Sequence, residues 1–199
     1  MEVLYRITEA EVRCMHSNSR IGKLLIAHPM FPPNNPFAKT VIYIYQDDSI
    51  NGTVGLVLNR PSQTTVAQLA AQDGHQFFDT TKIVHMGGPV NKNALIMLHT
   101  DDWHSTNTAS AGDKLRISSD THMLEKMADG TDQPAFWKVF IGSSTWMPGQ
   151  LQSEIDRPII GGTWLECKAD ESTIFMLNGE NLWITALEMY GRQTIDHYF

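Results

Sequence analysis

The sequence predicts an α+β fold built on a mixed sheet. Two observations carry that class. Pairs of β-branched runs are joined by tight links, the mark of antiparallel hairpins, while other strand-like runs are separated by single amphipathic, helix-length segments. Nothing in the 199 residues reads as a linker, a repeat or a low-complexity tract. A chain of that length suits one domain or two small ones and buries about 70% of its open surface. The expected organisation is an N-terminal helical extension over residues 1–20 and a single domain over 21–199.

The elements follow in order. Thr8 and Glu11 form a capping box with Ile7 and Val12 at the staple positions, which predicts a first helix ending near Ser17 to Arg20. Lys23 to Ala27 reads as a strand, and the loop after it, with prolines at 32, 33 and 36, cannot be regular structure. Thr40 to Gln46 and Thr53 to Asn59 are strands apolar on both faces, hence central, joined through Asn51-Gly52 as a hairpin. Thr64 or Thr65 caps a helix through Val66, Leu69 and Ala70 that stops near Gly74. Lys82 to Met86 and Ala94 to His99 read as strands, 101–112 as a polar loop, and Lys114 to Ser118 as a strand. Asp120 or Thr121 opens a helix with Met123, Leu124 and Met127 on one face and Gly130 as its stop. Trp137 to Gly142 is a strand, and Pro148 is placed as the first residue of a helix carrying Leu151 and Ile155. Thr163 to Lys168 and Ser172 to Met176 read as a second hairpin, and a last helix near Asn181 to Tyr190 ends at Gly191.

Composition narrows function. A net charge of −7 with scattered basic residues argues against a nucleic-acid surface. Cys14 and Cys167 lie far apart with no CxxC pair, which excludes a disulfide framework and a structural zinc site and fits a reducing, cytoplasmic compartment. The N-terminus is too polar for a signal peptide, and no apolar run is long enough to cross a bilayer.

Five groupings bear on chemistry. Gly142-Ser143-Ser144-Thr145-Trp146 has part of a nucleophile elbow, but Trp146 stands where that turn needs its second glycine; turn serines are the favoured reading. His99, Asp101, Asp102 and His104 gather metal-ligand types, yet at no helical or hairpin spacing, and read as solvated loop polarity. Gly87-Gly88-Pro89 has the backbone freedom of an anion nest but lacks a phosphate-loop tail, and a tight turn explains it. Arg60, just past a buried strand, either clamps a carboxylate or phosphate or forms an internal ion pair, the second being favoured. Trp146, Gln150 and Glu154 share one helical face, with Trp146 read as core and the other two as its solvated edge.

Leu24 to Pro29 (LLIAHP), Gly55 to Pro61 (GLVLNRP), Gly87 to Val90 (GGPV), Trp146 to Ile155 (WMPGQLQSEI), Thr163-Trp164-Leu165 and Leu182-Trp183 occur in that order. Together they resemble the YqgE/AlgH family from about residue 21 to residue 191. The resemblance implies a small barrel-like, bifurcated β core surrounded by helices. It implies no known reaction, and a regulatory role only through one namesake linked to alginate production. The chain departs from the family where Gly-Tyr-Ala-Gly-Trp is replaced by residues 142–146, and in a longer link from Asp156 to Gly162. The resulting expectation is a non-enzymatic binding or regulatory module, without metal or cofactor, acting through a protein partner or a small-molecule ligand. Its candidate binding residues are Asn59, Arg60, Gly87, Gly88, Trp146 and Gln150. The alternative is a hydrolase-type enzyme holding an acidic small molecule on Arg60 and the Gly87-Gly88 turn.

Overall fold

A computed structural model describes residues 19–198 apart from 73, 75, 77–79, 121 and 157–163. The predicted first helix lies outside the described residues. Ten strands form one mixed sheet in the order β10-β1-β2-β3-β9-β6-β8-β7, with β4 and β5 attached to its side. These are β1 (Lys23–Ala27), β2 (Val41–Asp48), β3 (Gly52–Val57), β4 (Pro61–Thr65), β5 (Ile83–Met86), β6 (Val90–Thr100), β7 (Ala109–Ser110), β8 (Leu115–Ser118), β9 (Trp137–Trp146) and β10 (Trp164–Lys168). The described helices are α1 (Val66–Gln72), α2 (His122–Lys126), α3 (Gln150–Ile155), α4 (Glu171–Met176) and α5 (Gly179–Tyr198). The predicted α+β class with a mixed, bifurcated sheet is the architecture found: every strand pair is antiparallel except β5 with β9.

The bifurcation lies at β9. One edge of this ten-residue strand pairs with β6 along most of its length. The other edge is divided: Phe140 and Ile141 face β5, whereas Ser144, Thr145 and Trp146 face β3. Gly87 sits in the fork, donating its N–H to Ile141 O at 2.9 Å and accepting from Val57 N at 2.8 Å. Backbone approaches so closely there that a Cβ on Gly87 would lie 2.2 Å from Gly142 O, and one on Gly88 2.2 Å from the Ser143 carbonyl carbon. The sheet buries three apolar clusters. One, including Leu24, Tyr43, Leu56, Phe140, Ile174 and Leu182, lies against α4 and α5. A second gathers Val84, Met97, Trp103, Met123 and Trp137, and a third gathers Ile42, Ile44, Trp146, Leu151 and Trp164.

The β2–β3 hairpin forms as expected, with Asp48 Oδ1 accepting from the N–H groups of Ile50 and Asn51 at the turn. Thr65 caps α1 reciprocally: its hydroxyl accepts from Gln68 N and the Gln68 side chain accepts from Thr65 N. Several expectations change. Residues 172–176 are helical, not a strand, because Asp170 Oδ2 accepts from Thr173 N and starts a helix that β-branched Thr173 and Ile174 would not suggest. The partner of β10 is therefore β1, in a register that sets Lys23 opposite Lys168. Helix α5 runs through Gly191, since an interior glycine costs only about 1 kcal/mol and Gln193 beyond it brackets the Lys168 backbone with two hydrogen bonds. Pro148 stands outside α3, whose N-cap is Gly149 at φ 74°. Ser143 and Ser144 are buried within β9 rather than in a turn, because Gly142 at φ 74° absorbs a bulge instead of ending the strand. Pro61–Thr65 is a short strand, β6 begins at Val90, and α2 ends at Lys126.

Candidate functional site

The sequence candidates fall into three places. At the first, Asn59 is buried and its side chain is fully engaged: Oδ1 accepts from Val41 N, and Nδ2 donates to Lys39 O and Gly179 O. It pins the proline loop and the start of α5 to the sheet. Arg60 makes no ion pair among the described residues, contrary to the favoured expectation. Its Nη2 donates to Ala38 O at 2.7 Å and to Pro36 O at 3.4 Å, because that loop offers carbonyls with no ladder donor to meet them. At the second place, Gly87 and Gly88 occupy the fork, and the Gly87 N–H is already bonded to Ile141 O. At the third, Trp146 and Gln150 meet through Glu154, which accepts from Trp146 Nε1 at 3.1 Å, Trp164 Nε1 at 2.9 Å and Gln150 Nε2 at 3.0 Å. The helical face expected to be shared by Trp146, Gln150 and Glu154 is not what joins them, since Trp146 ends β9 and only Gln150 and Glu154 lie on α3; Trp146 is buried and Gln150 exposed, as expected.

Asp101, Asp102 and His104 are exposed loop polarity, as expected, but His99 is not. His99 is 0% exposed, ends β6, and meets Thr100 O at 2.8 Å and Ser118 Oγ at 3.0 Å, edge-on to Trp103. Burial lowers its imidazole below the ordinary range. His104 lies apart from it on the surface. Among the described residues no cluster of three metal-ligand side chains is close enough to hold an ion.

A second polar group, absent from the sequence reading, joins the α4–α5 corner to the sheet. Lys138 is only 6% exposed and donates to Leu177 O at 2.9 Å and Asn178 Oδ1 at 3.0 Å. His85 reaches the same Asn178 oxygen at 2.8 Å, so Nε2 carries the proton and Nδ1 is a buried acceptor without a hydrogen-bond partner. Burial first, and the charge of Lys82 second, depress the Lys138 ammonium to about 8. Burial likewise lowers His85.

A cavity of about 810 Å³ lies elsewhere, between the start of β1, the start of β8 and α4. Tyr43, Leu115 and Ile174 form its apolar base, and Ile21, Phe136 and Met176 add half-exposed apolar surface. Gly112 packs closely against Tyr43, where a Cβ would lie 2.8 Å from the hydroxyl oxygen. That hydroxyl donates to Ala111 O. Burial, and after it the negative charge of Asp113, push it well above the usual phenol range. The rim carries Lys23, Lys114 and Lys168 together with Asp113, Asp170 and Glu171. Asp170 is committed to Ser172 and Thr173, bonds that hold its carboxyl below the ordinary range. None of the six sequence candidates lines this space. The missing signal was long-range: only the pairing of β1 with β10 brings residues 21–23 beside 168–172.

These dimensions match a small-ligand site, for which 300–1,000 Å³, an apolar lining and a few polar groups are typical. A family model described as AlgH-like matches residues 24–195. A UPF0301 protein of Methylococcus capsulatus is 33% identical over 172 residues, covering 85% of this chain and 91% of the relative. One from Caulobacter vibrioides is 32% identical over 181 residues, covering 89% of each. The solution structure of the AlgH protein from Pseudomonas aeruginosa superimposes with a TM-score of 0.72 at 27% identity, over 87% of this chain and 90% of that one. A crystal structure of a Corynebacterium diphtheriae protein shares the fold with a TM-score of 0.64 at 21% identity, over 87% and 91%.

Proposed function

The chain belongs to the AlgH-like family, and from that premise we propose that it is a non-enzymatic module binding a small ligand in the cavity between β1, β8 and α4. The observation that carries this reading is the cavity itself, an apolar base under a charged rim. The enzyme alternative needed a free Arg60 guanidinium or a histidine converging on a pocket. Arg60 instead donates to loop carbonyls, and neither it, His28 nor His99 lines this one. In this reading the module is one unit over residues 21–199 that works in the cytoplasm. No helix of the described residues is long and apolar enough to cross a membrane.

A second reading, docking of a protein partner near Gln150, is favoured by one feature. Met147 is 73% exposed and Ile50 84% exposed at the end of the β2–β3 hairpin, beside the Trp146–Gln150 face.

The test is titration with a neutral environment-sensitive dye such as Nile red. Saturable one-to-one binding is expected, lost in Ser172→Trp, whose exposed side chain stands at the cavity, and kept in Met147→Asp. Binding indifferent to Ser172→Trp overturns the cavity reading, and binding lost in Met147→Asp moves the site to the Gln150 face.

A further inference from the structure

The rim of the cavity holds a like-charge pair that its apolar base does not explain. Lys23 and Lys168 are direct register partners across β1 and β10. Like charges directly opposite in an antiparallel pair repel, and such pairs are ordinarily relieved by a carboxylate nearby. Here none is bonded: no hydrogen bond or ion pair among the described residues engages the ammonium of Lys23, Lys168 or Lys114. The other described lysines that face acids do form such pairs, as Lys39 does with Glu180 and Lys126 with Asp132. Of the three rim carboxylates, Asp170 is held by the first turn of α4, and Asp113 stands on the Tyr43 side, where its charge is felt by the phenol. Lys23 and Lys168 thus face one another unbonded at the border of an apolar chamber whose rim also carries Lys114 and three carboxylates, Asp113, Asp170 and Glu171.

Resting on the cavity as the ligand site, we propose that the ligand is an anionic amphiphile. Its apolar body lies on Tyr43, Leu115, Ile174 and Phe136, and its carboxylate is held between the ammoniums of Lys23 and Lys168. An acidic head placed there removes the cross-strand repulsion and gains two charge-assisted hydrogen bonds. The Tyr43 hydroxyl, already donating to Ala111 O, offers only an accepting lone pair, so it does not compete for the acid.

Decanoate, decanol and decyltrimethylammonium, identical in chain length, separate the two parts of the idea when titrated into the full chain at pH 7 and low salt. Decanoate is expected to bind at least tenfold tighter than decanol. The double variant Lys23→Gln, Lys168→Gln is expected to bring decanoate down to the decanol level while leaving decanol unchanged. Both lysines lie at the rim and neither side chain holds a hydrogen bond, so the variant folds, and its unchanged decanol affinity is the internal proof. Equal affinity for decanoate and decanol overturns the anionic head and leaves the cavity reading standing. Tighter binding of decyltrimethylammonium overturns it in favour of Asp113 and Glu171. If no probe binds and the neutral dye fails as well, the cavity reading falls with it.

Discussion

The fork at β9 and the cavity beside β1 both combine glycines, polar side chains and aromatic rings, yet they treat those groups in opposite ways. Around the fork the polar groups are engaged, His85 Nδ1 excepted. Gly87 bonds to Ile141 and Val57, Asn59 makes three hydrogen bonds, and Arg60 gives its guanidinium to loop carbonyls. Lys138 is tied into the α4–α5 corner. Around the cavity the ammonium groups are left unengaged and the aromatic surface is partly open. The contrast separates residues that close a fold from residues able to meet something outside it: a donor already satisfied by buried backbone has nothing left for a ligand.

Substitutions sharpen that contrast in order of their cost. Gly88→Val is expected to be the most severe, since its Cβ would overlap the Ser143 carbonyl. A loss of about 4 kcal/mol or more, near the limit for single changes, should appear in urea unfolding as a large fall in midpoint. A mild loss would mean that the fork can open. Lys138 comes next, through pH. Its folded-state value of about 8 lies below the ordinary 10.5, so between those pH values the unfolded chain holds more protons and stability rises with pH. The gain is roughly 3 kcal/mol over the window. The raised values of Tyr43 and Cys167 act with the opposite sign at alkaline pH. The difference between wild type and Lys138→Met, followed by unfolding from pH 7 to pH 10.5, isolates the lysine: the wild type should gain on the variant as pH rises. Parallel curves would show that the ammonium is solvated. Asn59→Ala is expected to cost about 2 kcal/mol by stranding the Val41 N–H and two carbonyls. At the other region, Ser172→Trp should shift stability by no more than about 0.5 kcal/mol while blocking the dye, the ordinary result for an exposed position. A large destabilisation there would remove the distinction between the two regions.

Much of this architecture was legible in the residues. Asn51-Gly52 announced the β2–β3 hairpin, Thr64 or Thr65 the start of α1, and the doubly apolar runs the centre of the sheet, because each signal is local. Failures came where distant contacts decide. Ser172 to Met176 has strand composition, but Asp170 and the packing of Ile174 in the core cluster make it helical. Gly191 looks like a stop, but the grip of Gln193 on β10 carries the helix past it. His99 was read with its polar neighbours because nothing in sequence shows that Ser118 and Trp103 enclose it. Helical spacing predicts the contact of Gln150 with Glu154, whereas Trp146 reaches Glu154 from the end of β9. The cavity could not be foreseen, since it depends on Lys23 meeting Lys168 from nearly opposite ends of the chain.

That last pairing bears on the order in which the molecule assembles during synthesis. Strand β1 is among the first to leave the ribosome, but its outer edge is covered only by β10. The fork likewise waits for β9 to unite β3 with β5. Until the last quarter of the chain emerges, an apolar strand therefore presents unpaired backbone to its surroundings, the condition in which nascent sheets are most open to mispairing and to chaperones. Closing the edge and building the cavity are the same late event, because both wait for β10 to meet β1.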